Sequence, residues 1–336
     1  MDNSLVASPA GVLAVLAGIC SFFFWLEKRT AWKLFNFVPP LLFIYLTPVL
    51  LSNGGVIPKS SPAYDFLGST ILPFFLTVML LEVNLLATVK AMGRGVFVML
   101  LGTLGVVVGA PIGFALVKHG LDPGAWQGFG ALAGSWIGGT GNMLAVSQMI
   151  DLDDNSVQFG YAVIADNAVY LIWLPILLGS KSFAERFHRF TRVPANRMEE
   201  LEEMAERVTQ DKGRPEMRHL LYLIFLGFAV TAAATAIAPL IPEYPADQPL
   251  FTTSTYRILL VTVMAIALSF TPASRIPGAH PLAMALIYLF VARMGARADL
   301  SQVNGSVLWF LLGAYVWIFV HGVFLVTAAR IFRVDV

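Results

Sequence analysis

Residues 134–148 read GSWIGGTGNMLAVSQ and lie in the middle of a long apolar region. Four glycines (Gly134, Gly138, Gly139, Gly141), two hydroxyls (Ser135, Thr140) and an amide (Asn142) stand where a lipid-facing helix would carry Leu and Val. Each glycine costs roughly 0.8–1 kcal/mol against alanine in a helix interior. A membrane segment would therefore unwind most easily across Gly138, Gly139, Thr140 and Gly141. Backbone freed inside hydrocarbon is tolerated only where it is buried in protein or lines a polar cavity. An interrupted membrane segment of this kind points to a transporter's binding site.

The rest of the chain provides the membrane context. Of its 336 residues 57% are hydrophobic and only 13% charged, with a mean hydropathy of +0.73. A soluble domain carries about 25% charged residues, so composition alone gives an all-α polytopic membrane protein. With 22 basic and 21 acidic side chains the net charge is +1, which gives no reason to expect a nucleic-acid partner. The single cysteine, Cys20, excludes an internal disulfide and a multi-cysteine metal site. The first apolar segment has no basic stretch ahead of it and runs directly into Trp25, Leu26, Glu27, Lys28 and Arg29. It reads as a retained membrane helix, not a signal peptide. No H-E-x-x-H, G-x-S-x-G or phosphate-loop motif occurs, so neither an enzyme nor a nucleotide-driven pump is expected.

Apolar runs long enough to span a bilayer fall near 5–26, 33–53, 66–86, 95–118, 156–180, 219–241, 255–272, 280–298 and 306–329, besides the broken segment 126–150. The polar segment 181–218 contains Lys181, Arg186, Arg189, Arg192, Arg197, Arg207, Lys212, Arg214 and Arg218, and is cytoplasmic by the positive-inside rule. Within it Met198, Leu201, Met204, Ala205 and Val208 share one face of a helix expected over 196–210. Placing 27–33 and 90–94 on the same side decides the topology of 126–150. A full crossing there would deliver 181–218 to the wrong side, whereas a re-entrant hairpin delivers it to the cytoplasm.

The chain also repeats itself. The sequence from Leu80, LLEVNLLATVKAMGRGVFVMLLGTLG, aligns with that from Arg293, RMGARADLSQVNGSVLWFLLGAYV, so that Asn84 and Leu85 fall on Asp299 and Leu300. Leu100, Leu101 and Gly102 fall on Leu311, Leu312 and Gly313. Under the hairpin topology the two copies run in opposite directions, an inverted repeat as in many secondary transporters. The expected layout is a first repeat within 1–180, preceded by an extra N-terminal helix, the linker 181–218, and a second repeat in 219–336. No second glycine-broken element follows Gly313, so the second repeat is expected to be truncated at the C-terminus.

The chemistry-bearing candidates cluster after the break. Asp166 and Asn167 sit near the centre of the following apolar run, where a carboxylate costs at least about 2.5 kcal/mol to insert and is a functional site by default. Ionised, Asp166 can hold a sodium ion with Asn167 and freed carbonyls; protonated, it can carry a proton. Ser147, Tyr161 and Asn142 are further oxygen donors. A break offers N–H groups to an anion and carbonyls to a cation, so an organic-anion carrier and a cation exchanger both stand. Glu82, Asn84 and Asp299 lie near helix ends, Arg293 and Arg297 are expected to snorkel to the interface, and His280 and His321 are expected to be structural. No catalytic residue and no cofactor is expected, nor any metal beyond sodium at Asp166.

The combination GSWIGGTGNM followed by IADNAVY, with a basic loop between two hydrophobic halves, resembles domain-of-unknown-function family 819. That family is similar to the cation/proton antiporter and anion transporter superfamily. The resemblance covers essentially the whole chain. It implies a panel and a core, two broken elements crossing near mid-membrane, and movement of the core past the panel. In the exchangers a carboxylate-bearing pair follows the first broken helix, a place taken here by Asp166 and Asn167 in the order acid, amide. The broken helices of that superfamily mostly span fully, so hairpin and spanning helix both stay open on sequence grounds.

The reading is thus an inverted-repeat secondary transporter of a bacterial inner membrane, sodium- or proton-coupled, moving a small organic anion or exchanging cations. Its ion- and substrate-binding residues are Ser135, Gly138, Gly139, Thr140, Gly141, Asn142, Ser147, Tyr161, Asp166 and Asn167. Its partners are the lipid bilayer and the substrate, with a homodimer left open. The competing reading is a non-transporting sensor or assembly subunit that uses the helix 196–210.

Overall fold

A computed structural model describes residues 4–30, 32, 35, 39–83, 89, 92–152, 157–178, 187, 190, 191, 214–244 and 251–334. The helix expected over 196–210, and Asn84 and Lys90, lie outside these. The described residues are helical, apart from loops and an isolated bridge between Tyr244 and Phe251. In chain order the helices are α1 (Pro9–Thr30), α2 (Pro40–Asn53), α3 (Pro62–Leu81), α4 (Gly95–Val117), α5 (Ala125–Met149), α6 (Gln158–Leu178), α7 (Met217–Ile237), α8 (Thr253–Ser269), α9 (Ala279–Arg297) and α10 (Ser306–Phe332). Among the described residues α1, α3, α4, α7, α9 and α10 are long and apolar enough to cross a bilayer, and α2 and α8 are shorter apolar helices. The protein is an all-α polytopic membrane protein.

The helices gather into two bundles. In one, α4 and α10 run antiparallel along their whole lengths. Phe97 stacks on Phe332 at 5.1 Å near one end, Trp317 Nε1 donates to the Val106 carbonyl at 2.8 Å midway, and Trp309 covers Gly120 at the other end. Glycine makes this approach possible: a Cβ on Gly113 would meet the Gly313 carbonyl oxygen at 2.5 Å, and one on Gly105 would meet Phe324 at 2.7 Å. Without a hydrophobic drive between helices in lipid, such small-residue contacts carry the packing. α5 and α6 complete this bundle.

The second bundle holds α1, α2, α3, α7, α8 and α9, and its contacts come in matched sets. α1 packs on α2 and α9, whereas α7 packs on α8 and α3; α2 packs on α9, and α8 on α3. α3 and α9 are themselves antiparallel: Glu82 faces His280 at 3.8 Å, Phe75 meets Phe290 at 6.0 Å, and Asp65 meets Arg297 at 3.4 Å. Only a thin seam joins the bundles. Its contacts include the Thr255 hydroxyl donating to the Met149 carbonyl at 2.6 Å, Gly141 against Met79, and Gly160 against the Tyr45 hydroxyl.

α5 is not one rod. Gly138 (φ −147°, ψ 16°) and Gly139 (φ 79°, ψ −174°) leave the helical region, the latter for a conformation open essentially to glycine alone. The chain turns back on itself there. A Cβ on Gly134 would meet the Asn142 carbonyl oxygen at 2.7 Å, one on Gly130 would meet Ile150 at 3.1 Å, and Gln127 Nε2 donates to the Ile150 carbonyl at 3.2 Å. In a continuous helix residues 130 and 150 would be about 30 Å apart. Of the two alternatives left open by the sequence, the structure has the hairpin, with antiparallel arms 125–137 and 140–149. Each arm is roughly 15–20 Å long, about half of a 30 Å hydrocarbon core.

Candidate functional site

The hairpin carries its polar side chains towards α6. Ser135 Oγ donates to Asp166 Oδ2 at 3.1 Å, and Trp136 Nε1 donates to Asp166 Oδ1 at 2.9 Å. Both donors come from the last turn before the break, and the acceptor from the middle of α6. A carboxylate at this depth must be paired or hydrogen-bonded, and here each oxygen has one donor. The arrangement is braced from behind. Trp136 lies 4.4 Å from Trp317 between ring centroids, Trp317 is tied to α4 through Val106, and the Tyr315 hydroxyl donates to the Ala168 carbonyl at 3.1 Å.

The other sequence-derived candidates divide. Gly138 and Gly139 form the exposed tip. Asn142 folds its carboxamide against the Cα of Gly138, where any side chain at 138 would collide with it. Gly141 is buried against Met79, where a Cβ would meet the methyl at 2.7 Å. Thr140 begins the second arm and is half-buried. Ser147, Asn167 and Tyr161 are not brought to the carboxylate. The Ser147 hydroxyl donates to the Met143 carbonyl at 2.8 Å, and Asn167 Nδ2 to the Val163 carbonyl at 2.8 Å. Each satisfies itself one turn back in its own helix, as Ser and Asn in helices can. The Tyr161 hydroxyl accepts from the Asn304 backbone N–H at 3.3 Å, at the end of the bundle where Asp122 accepts from Ser306 Oγ at 2.7 Å. The polar centre is therefore Ser135, Trp136 and Asp166, one turn into the first arm from the tip.

Two further residues depart from expectation. Trp136 is a site residue that the sequence reading does not single out; its place inside a glycine-rich polar stretch is the available signal. Arg293, expected to snorkel, is 3% exposed. Its Nε donates to the Tyr64 carbonyl at 2.6 Å, and the guanidinium lies 4.9 Å from the Phe290 ring. Gly68 leaves room for it, since a Cβ there would meet Nη2 at 2.7 Å. The neighbouring turn, Leu67–Ile71, is a π-helix, as occurs where a side chain inserts into the helical ladder. Arg297, at the end of α9, reaches Asp65 at 3.4 Å.

The centre can stabilise a negative charge through two neutral donors and can offer carboxylate and hydroxyl oxygens to a cation. Among the described residues no three His, Cys, Asp or Glu side chains gather into a metal cluster. Hard monovalent cations and protons are ligands that these oxygens suit.

The chain matches the model of a family described as "Protein of unknown function (DUF819)" over residues 14–336. It is also similar to "Uncharacterized membrane protein YjcL" of Bacillus subtilis (strain 168), at 24% identity over 340 residues that cover 96% of this chain and 81% of that protein. No solved structure matches.

Proposed function

The chain belongs to the DUF819 family, and from that premise we propose that it is a secondary active transporter in which Asp166 binds a coupling sodium ion or proton. The observation that carries this reading is the carboxylate midway along α6, held by Ser135 and Trp136 beside a break in a half-length hairpin. An acid at membrane depth is costly unless it has work to do, and interrupted helices are where such carriers bind their cargo.

The architecture supports the same reading. Matched contacts relate α1, α2, α3 and α4 to α7, α8, α9 and α10, and the corresponding pairs α3 with α9 and α4 with α10 are antiparallel. We read this as an inverted repeat that includes α1, which the sequence treats as standing outside it. The bundle of α4, α5, α6 and α10 is then the core that carries the site, and the other six helices are the panel. At the seam the core offers Gly141 and Gly160 to panel side chains, contacts over which one body can slide past the other.

Orientation follows from charge. Helix directions place Lys28, Arg29, Arg94, Arg218, Arg275 and Arg330 at one end of the molecule with Glu27, Glu82 and Glu216, and Asp65, Asp122, Asp151, Glu243 and Asp299 at the other with Lys59, Lys118 and Arg297, so the first end carries the excess of basic residues. The basic end is cytoplasmic by the positive-inside rule, in the plasma membrane of a bacterium, and the hairpin enters from the opposite face. The test is reconstitution in proteoliposomes with an imposed sodium or pH gradient. Uptake of small carboxylate anions, or cation exchange, that follows the gradient supports the reading. A sensor or assembly subunit would show no gradient-dependent flux.

A further inference from the structure

At the basic end of the panel a pocket of about 580 Å³ opens between the first turns of α7 and the turn that leads into α9. Arg218, His219, Tyr222 and Phe225 of α7 line one side, and Pro272, Arg275 and Ile276 the other. Among the described residues no acidic side chain lines it. Its walls are stiff. Pro272 and Pro277 fix the turn, and Gly278, at φ 94°, lies so close to Pro215 that a Cβ would meet the ring at 2.9 Å. Arg218 Nε is held by Glu216 Oε2 at 2.9 Å, while Arg275 has no partner among the described residues.

We propose that this pocket binds the headgroup of an anionic phospholipid from the cytoplasmic leaflet, with the phosphate between Arg218 and Arg275 and an acyl chain along α7. Two observations select a lipid over a soluble anion. The pocket is open, and most of the surface beside its two arginines is apolar. From the pocket α7 continues outward with the exposed side chains of Tyr222, Phe225 and Phe228, of which Phe225 is 68% exposed. An amphiphile with a negative head satisfies both halves. Basic pockets on the cytoplasmic side of membrane helices favour anionic headgroups for this reason. The inference stands apart from the transport reading, because the pocket lies on the panel and away from Asp166.

The full chain, purified in detergent, is exposed to phosphatidylglycerol or to phosphatidylcholine with the same acyl chains, and retained lipid is counted by native mass spectrometry. Phosphatidylglycerol is expected to be retained preferentially. Arg275→Gln, which breaks no described contact, reduces that preference by about fivefold, and Arg218→Gln with Arg275→Gln by about tenfold or more. Arg94→Gln, at the same end but outside the pocket, leaves it intact. Equal retention of the two lipids by the unsubstituted chain overturns the proposal. So does a preference that survives Arg275→Gln, one that falls equally with Arg94→Gln, or one that inorganic phosphate abolishes at millimolar concentration.

Discussion

The indole Nε1 of Trp136 donates to Oδ1 of Asp166 at 2.9 Å, while its ring leans on Trp317 at 4.4 Å between centroids. The tryptophan thus has two separable roles, a hydrogen-bond donor and a packed ring. Trp136→Phe keeps most of the ring and removes the donor. A hydrogen bond to a charged group is worth about 1.5–3 kcal/mol, and the carboxylate left with one donor should hold a cation or proton more tightly. The half-saturating concentration of the coupling ion is expected to fall by roughly tenfold. An unchanged value, measured by gradient-driven flux, would mean that the indole does not compete with the ion.

The hairpin makes a distance prediction. Gly130 and Ile150 are in contact across the arms, whereas a spanning helix would set them about 30 Å apart. In a Cys20→Ser background, Gly130→Cys with Ile150→Cys should form a disulfide under mild oxidation. Protein that resists crosslinking while remaining monodisperse would contradict the reversal at Gly139.

The break also predicts a contrast between glycines. At Gly139 (φ 79°, ψ −174°) alanine is strained by about 1–3 kcal/mol, so Gly139→Ala should lower the unfolding temperature by several degrees in detergent. Gly18, in α1 with open space where a Cβ would stand, should tolerate alanine with an unchanged or slightly higher midpoint. Equal midpoints for the two variants would count against the described backbone.

A fourth expectation concerns pH. Lys59 Nζ lies 2.7 Å from Asp299 Oδ1, and this contact, with hydrogen bonds from Ser301, pulls the Asp299 carboxyl down to about 2. The folded pKa is below the unfolded one of about 3.9. The pair's contribution is therefore complete above about pH 4 and is lost as pH falls through about 2. Both side chains are partly exposed, so it is worth at most about 1 kcal/mol. Thermal unfolding of Asp299→Asn should run slightly below the unsubstituted chain at neutral pH and converge with it at the acid end of that window. A gap that widens on acidification would contradict the assignment.

How far the sequence could be read depends on which interaction decided each feature. The apolar runs and the break at Gly138 and Gly139 are local properties of composition, so both were legible; the placement of Lys and Arg favoured the hairpin but left a spanning helix open. Asp166 stood out by its cost in hydrocarbon. Its partners did not, because donor choice is settled by rotation about the helix axis. Ser147 and Asn167 turned to their own backbones, and Trp136, which the sequence reading did not single out, supplied a donor. Arg293 was misread because its burial depends on Gly68, remote in sequence, making room for it. The counterpart relation of α1 and α7 rests on contacts alone, with no shared motif between PAGVLAVLAG and MRHLLYLIFL.

The central claim is that Asp166 carries the coupling charge, and it is tested most directly by flux. The unsubstituted chain and Asp166→Asn are reconstituted side by side, and sodium and proton movement is recorded under an imposed gradient of each. Asparagine keeps the volume, its one oxygen can accept from Trp136 and its Nδ2 can donate to the Ser135 hydroxyl, so the helices should stay packed, as an unchanged elution profile would register. The account predicts gradient-dependent movement of one of the two ions that falls to background in Asp166→Asn. Movement that persists at the unsubstituted rate in Asp166→Asn would contradict it.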